Sequence, residues 1–144
     1  MEISRFPTEE AVIALLEAAN LPTEDITAEM LEGFFGCGDS NAPSGVIGME
    51  IHGDCGLLRS LVVKPSCRST GCGKALVAAL ESYAAHNGIA SVYLLTETAE
   101  AFFSRLGYRV IDRADVPEAI KATREFSSLC PDTATVMWKS PRES

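Results

Sequence analysis

No apolar run in the sequence approaches the roughly 18 residues that a bilayer-spanning helix needs, so a membrane partner is not expected. Positive charge is also scarce: 12 Lys and Arg stand against 20 Asp and Glu, for a formal net charge of −8. That balance disfavours nucleic acid and anionic membrane surfaces, which are held by clustered cations. The chain starts Met1-Glu2-Ile3-Ser4-Arg5 with no apolar signal-peptide core behind it, so the expected location is cytoplasmic. The two histidines, His52 and His86, lie in unrelated places, and the five cysteines (Cys37, Cys55, Cys67, Cys72 and Cys130) contain no Cys-x-x-Cys. These spacings make no zinc framework, and no metal is expected. In a reducing compartment the cysteines are expected as thiols, with Cys67 and Cys72 as small residues lining a tight loop. Internal repeats, low-complexity tracts and long linkers are absent too. A hydrophobic content of 47% and a charged content of 22% over 144 residues fit one domain, residues 1–144, with a real core.

What is present alternates strands with helices. Ile3 to Phe6 is a short strand, and Pro7-Thr8-Glu9-Glu10 opens a helix with Thr8 as N-cap and acids in the first turn. Val12, Leu15, Leu16 and Ala19 recur at helical spacing. A second helix is expected from Glu24 to about Leu31, then a glycine-weakened strand over Gly33–Gly38. Val46–His52 and Leu57–Val63 read as a hairpin turning on Gly53-Asp54. A helix from Ala75 to about His86 stops at Asn87-Gly88, and Ser91–Thr96 is a buried strand. A right-handed crossover makes that strand a parallel neighbour of Leu57–Val63. A helix over Ala99–Leu106, a strand over Tyr108–Ile111, a helix from Pro117 to about Arg124 and a strand over Thr133–Lys139 complete an α/β chain, a mixed sheet with helices on both faces.

The most informative stretch is Cys67-Arg68-Ser69-Thr70-Gly71-Cys72-Gly73-Lys74. It lies between an apolar strand with its Pro65 break and an amphipathic helix. A small-residue turn into a helix N-terminus leaves main-chain N–H groups unpaired, and the helix dipole adds partial positive charge. Arg68 and Lys74 add a cation at each end, which makes a pyrophosphate cradle. Counting removes two familiar ones. A Walker A loop would place glycine where Arg68 stands and Ser or Thr where Ala75 stands, and a dinucleotide fingerprint would need glycine at Leu76.

What remains, Arg-x-x-Gly-x-Gly over Arg68–Gly73, resembles motif A of the GNAT N-acetyltransferase superfamily, which binds the pyrophosphate of acetyl-CoA. Ala99-Glu100-Ala101-Phe102-Phe103-Ser104-Arg105-Leu106-Gly107-Tyr108 resembles motif B, aligned on Gly107. As packing, Phe102, Phe103 and Leu106 are also core at helical spacing. The resemblance, which runs from Val46 to Lys139, implies the GNAT fold with about six to seven strands and acetyl-CoA as co-substrate. It implies cofactor contacts from Leu61, Val62 and Val63, from Arg68, Ser69, Thr70, Gly71, Cys72, Gly73 and Lys74, and from Phe102 and Phe103. Two positions depart from the pattern: the family's usual tyrosine, often the acid that protonates the leaving thiolate, falls on Phe103, and its usual asparagine falls on Thr96. A phenyl ring has no proton to give. The segment Phe102–Tyr108, with Ile120–Pro131 and the Leu57–Pro65 strand, is similar to acetyltransferases of bacterial arsenic-resistance operons. That likeness implies transfer to a primary amine of a small, amino-acid-like acceptor, in arsenical or toxin resistance. A homodimer is a further expectation of the same kind.

The acceptor arrives as an ammonium and must lose a proton before attack. Glu97 and Glu50 are the carboxylates placed to relay it, set against an exposed or helix-capping acid for Glu97 and an outward strand charge for Glu50. Ser60 and Thr96 are placed to position a water. Arg59 inside an apolar strand must find a partner or water. It reads either as an anchor for an acceptor carboxylate or phosphinate or as one half of an ion pair, with Arg124 as a second candidate on the acceptor side. The rival to an enzyme is a non-catalytic acetyl-CoA-binding regulatory domain. A third reading is an arsenical-binding protein using Cys67 and Cys72.

Overall fold

The structure, a computed structural model, describes residues 3–5, 7–21, 23, 26–27, 29–39, 41–68, 70–123, 126 and 134–141. Seven strands form one mixed sheet: β1 (Ile3–Arg5), β2 (Phe34–Cys37), β3 (Gly45–His52), β4 (Cys55–Val63), β5 (Ser91–Thr96), β6 (Arg109–Val110) and β7 (Thr135–Lys139). Their hydrogen-bonded order is β1-β2-β3-β4-β5-β7-β6. The helices are α1 (Glu9–Ala18), α2 (Cys72–His86), α3 (Glu100–Arg105) and α4 (Glu118–Lys121). The chain divides into two compact units, Met1–Glu50 with Leu58–Tyr83, and Ile51–Leu57 with Ala84–Ser144.

In the first unit, Thr8 caps α1 by accepting the Ala11 N–H at 3.2 Å, and Glu9 and Glu10 occupy the first turn, where negative charge suits the helix dipole. Val12, Leu15 and Leu16 then share one buried face and pack with Ile26, Phe34, Val46 and Val62. β1, β2 and β3 are antiparallel, with Phe34 opposite Gly48 and Cys37 opposite Gly45. Arg5 lies over the rings of Phe35 and Tyr83, at 5.5 and 4.4 Å from their centroids, and so ties β1 to β2 and α2. The helix expected from Glu24 is not continuous among the described residues. Thr27 instead accepts the Met30 N–H through its side chain at 3.2 Å, and a 3-10 turn follows over Met30–Gly33. This tighter turn ends at Gly33, where a Cβ would lie 2.2 Å from the Met49 carbonyl oxygen.

In the second unit, β4 and β5 are parallel over Cys55–Leu57 and Ser91–Tyr93, and β7 pairs antiparallel with β5 and β6. Leu57, Tyr93, Val116, Ile120, Phe126 and Val136 form its core. α2 ends where Gly88 takes φ 74 and the Ile89 N–H reaches back to Ala84 O at 3.0 Å, a C-terminal lock that needs a left-handed residue. α3 ends comparably: Gly107 takes φ 98, and the Lys139 ammonium donates to the Leu106 carbonyl at 2.8 Å. No helix of the described residues is long and apolar enough to cross a membrane.

Candidate functional site

The glycine turn and the helix after it overlap more than the sequence suggests. α2 begins at Cys72, so Cys72, Gly73 and Lys74 form its first turn and the helix starts three residues before Ala75. The correction has a local cause. Gly71 takes φ 89, and its carbonyl accepts the first helical bond, from Ala75 N at 2.9 Å. A left-handed residue there turns the chain abruptly from loop to helix, so the N–H groups of Gly71 through Lys74 have no partner within the helix. A Cβ on Gly71 would meet nothing within 4 Å, so glycine serves conformation here and not close packing. The turn before it is also built: Pro65–Cys67 form a 3-10 turn, the Cys67 N–H donates to Lys64 O at 2.8 Å, and the Thr70 hydroxyl donates to the Cys67 carbonyl. Arg68, Thr70, Gly71 and Lys74 are exposed. Four main-chain donors and two cations on an open turn fit a pyrophosphate group.

A groove of about 380 Å³ lies beside this turn. It is lined by Ala11, Ala14 and Ala18 of α1, by Ala42 and Pro43, and by Val62 to Pro65 with Arg68. It brings together three residues expected at the cofactor, Val62, Val63 and Arg68. The small face of α1 carries no motif, since alanine at positions 11, 14 and 18 is also what helix propensity favours. An apolar groove that also offers Lys64 and Arg68 complements an amphipathic anion.

Upstream on β4, Arg59 is 3% exposed, and the contacts of its guanidinium include Glu50 and Ser60. Nη1 donates to Glu50 Oε2 at 2.8 Å, and Nε donates to Ser60 Oγ at 3.1 Å. Of the alternatives weighed for Arg59, the ion pair is therefore present, with Glu50 as its partner. Glu50, Arg59 and Ser60 form one cluster. Adjacent strand residues normally point to opposite faces, so Arg59 and Ser60 should not meet. They meet because Ser60 takes φ 57, a left-handed conformation that costs a non-glycine residue about 1–2 kcal/mol. Such outliers persist only where surrounding contacts over-determine them, and they gather at functional sites.

The remaining expected residues lie in the second unit. Glu97 is exposed directly after β5. The Thr96 hydroxyl accepts the Ala99 N–H at 2.9 Å and so fixes the turn into α3. Phe103 is buried, packed edge-to-face with Phe102 at 5.1 Å and with Tyr108 at 5.5 Å, while Phe102 is half-buried. Ser69 and Arg124 lie outside the described residues, as do Ser127, Ser128 and Cys130. Among the described residues no group of three or more His, Cys, Asp or Glu side chains is arranged to hold a metal ion.

Comparison with known proteins agrees with this architecture. Residues 3–108 match the model of the acetyltransferase (GNAT) family. A Bacillus subtilis (strain 168) protein named as an acetyltransferase is 31% identical over 94 residues, which cover 62% of this chain and 64% of that one. The chain thus spans under two thirds of that relative's length. Among solved structures, N-acetylglutamate synthase from Neisseria gonorrhoeae, complexed with coenzyme A and N-acetyl-glutamate, superimposes with a TM-score of 0.80 at 17% identity, over 96% of this chain and 34% of that one. A Mycobacterium tuberculosis protein in complex with CoA gives a TM-score of 0.78 at 20% identity, over 97% and 99% of the two chains. The match to the family model covers most of the chain, both family motifs fall within it, and the fold is shared with CoA-bound structures; the chain belongs to the acetyltransferase (GNAT) family.

Proposed function

We propose that this protein transfers the acetyl group of acetyl-CoA to a primary amine of a small, amino-acid-like acceptor. The observation that carries the proposal is the left-handed Gly71 at the start of α2, which leaves the first N–H groups of that helix without a helical partner in a turn where Arg68 and Lys74 are exposed. Bound acetyl-CoA supplies an activated acetyl thioester. The Arg68–Lys74 turn, including Ser69 and Cys72, holds its pyrophosphate, and main-chain groups of Leu61, Val62 and Val63 pair with its amides as an added strand would. A main-chain N–H next to the Ser60 kink steadies the negative charge that develops on the thioester oxygen. Phe102 and Phe103 supply apolar contact to the same ligand.

The amine nitrogen must attack as the free base, and the carbon–sulfur bond then breaks to release CoA. Glu97 is the proton acceptor in this scheme, because it is an exposed carboxylate just past a buried strand. Glu50 acts through Arg59 and is a positioning residue, and Ser60 holds the other side of that guanidinium. Arg59 and Arg124 remain the candidates to meet an acceptor carboxylate, and the similarity to arsenic-resistance acetyltransferases supports a phosphinate or arsenical amino acid as acceptor. Activity as a single domain of 144 residues, in the cytoplasm and as a homodimer, belongs to the same proposal.

The test is CoA release from acetyl-CoA with a panel of primary amines that includes phosphinothricin-like amino acids. Turnover with a member of the panel supports the enzyme. In Glu97→Gln, kcat is expected to fall about 100-fold with KM retained, the usual worth of a positioned proton acceptor; an unchanged kcat removes Glu97 from the scheme. Phe103 favours a second possibility, a CoA-binding domain without catalysis, since it stands where the family's tyrosine often provides a proton and is buried among aromatic rings. CoA binding with no turnover across the panel selects that alternative.

A further inference from the structure

Strand alternation places Val46, Gly48 and Glu50 of β3 on one face of the sheet. Packing identifies that face. Val46 lies with Val12, Leu15 and Leu16 of α1 and with Phe34, and a Cβ on Gly48 would come 2.5 Å from the Phe34 ring. On the hydrogen-bonded neighbour β4, Arg59 reaches Glu50 and so belongs to this face. Val62 packs in the α1 cluster and belongs to it too. Arg59 and Val62 are three residues apart, whereas a regular strand returns to a face only at even spacing. β4 therefore carries one extra residue between them. The left-handed Ser60, at φ 57, takes it up, which makes the kink a β-bulge. The opposite face agrees, since a Cβ on Gly45 would lie 3.2 Å from Val63 Cγ2.

A left-handed serine persists only where its neighbours over-determine it. The buried guanidinium of Arg59 joins the bulge to the next strand: Nε donates to Ser60 Oγ at 3.1 Å and Nη1 donates to Glu50 Oε2 at 2.8 Å. A planar fork held at two corners cannot rotate without giving up one of them.

We propose that the Glu50–Arg59 pair is a clamp that holds the Ser60 bulge left-handed, and that the bulge aims the main-chain N–H that meets the thioester oxygen. In this role Glu50 and Arg59 are positioning residues. The extra residue of a bulge stands outside the regular ladder, which releases a main-chain donor for developing negative charge. Such a donor accelerates the reaction only when it is fixed before the charge appears, and the clamp fixes it. The inference deepens the acetyl-transfer reading of the site and rests on it.

The experiment measures steady-state acetyl transfer by the full chain and its variants with an acceptor from the amine panel. In Glu50→Leu with Arg59→Met, kcat should fall about 100-fold, the usual worth of one oxyanion donor, with the KM for acetyl-CoA retained. Adding Ser60→Gly to that variant should restore most of the lost rate, because glycine takes φ 57 without a clamp. At position 60 alone, glycine should keep more of kcat than alanine, although both lack the hydroxyl. An unchanged kcat in the double variant overturns the clamp. So does a raised acceptor KM with kcat retained, which would make Arg59 the acceptor's anchor. Equal losses for glycine and alanine would place the effect in the hydroxyl and also overturn it. If the parent acetylates no amine, the acetyl-transfer reading fails, and urea unfolding still decides the clamp. Ser60→Gly should then shift the midpoint more favourably in the double variant than in the parent; an equal shift in both overturns it.

Discussion

Glu50→Ala lowers the unfolding free energy by about 3 kcal/mol, since breaking a buried ion pair by removing one partner typically costs 3–5 kcal/mol. The lower end applies because the Glu50 side chain keeps 13% of its surface exposed whereas that of Arg59 keeps 1%. The loss is not the Coulomb energy of the pair. It is mostly the cost of a buried guanidinium deprived of its carboxylate acceptor at 2.8 Å. For a chain of this size the shift in Tm is about 10 °C. Two further variants separate charge from packing. Glu50→Gln retains a neutral acceptor and should lose about half as much. The double variant Glu50→Leu with Arg59→Met removes both charges and should recover most of the stability, since apolar replacement of a buried pair is often neutral or better. The single variants Glu50→Leu and Arg59→Met complete a double-mutant cycle with the parent, and thermal or urea unfolding of those four proteins gives the coupling energy directly. Additive losses in the double variant would show that the pair does not act as a unit.

That cluster also marks where the sequence stops being informative. Thr8, Gly53-Asp54 and Asn87-Gly88 are legible because cap, hairpin and helix stop depend on chemistry within a few residues, and each takes its expected place. The start of α2 is misplaced by three residues because the φ of Gly71 decides it, and glycine permits either hand. The conformation of Ser60 is not legible at all. Serine has no preference for φ 57, and no neighbouring residue type announces the kink that lets its hydroxyl meet Arg59. That Glu50 is a partner of Arg59 needed the strand register, since Glu50 is one acid among 20. The Arg68–Lys74 turn was legible as a candidate, because the anion-binding role proposed for it rests on local residue types. The acceptor side was not, because it depends on which distant side chains meet.

Gly71→Val weakens CoA binding by about 1000-fold while leaving the melting temperature within a few degrees of the parent. At φ 89 a β-branched residue is a backbone outlier, so the valine chain adopts a negative φ and re-aims the peptide planes on either side. Space is not the obstacle, since a Cβ there meets nothing within 4 Å. The penalty falls on the cradle. The Gly71 carbonyl no longer meets Ala75 N in line, and the N–H groups of Cys72, Gly73 and Lys74 no longer converge on one anion. Two charge-assisted hydrogen bonds, worth about 1.5–3 kcal/mol each, account for the loss of roughly three decades. The fold is spared because the turn is exposed and only the first turn of α2 frays; the buried face at Leu76, Leu80 and Ala84 is untouched. Gly71→Ala is the graded control. Alanine tolerates the left-handed region at a cost of about 1–2 kcal/mol, so its affinity should fall about tenfold. The order glycine, alanine, valine in calorimetric CoA titrations would then follow backbone freedom and not side-chain volume in an empty space. Equal affinity across the three proteins would mean that the anion is held elsewhere, and the assignment of the Arg68–Lys74 turn to the pyrophosphate would have to be given up.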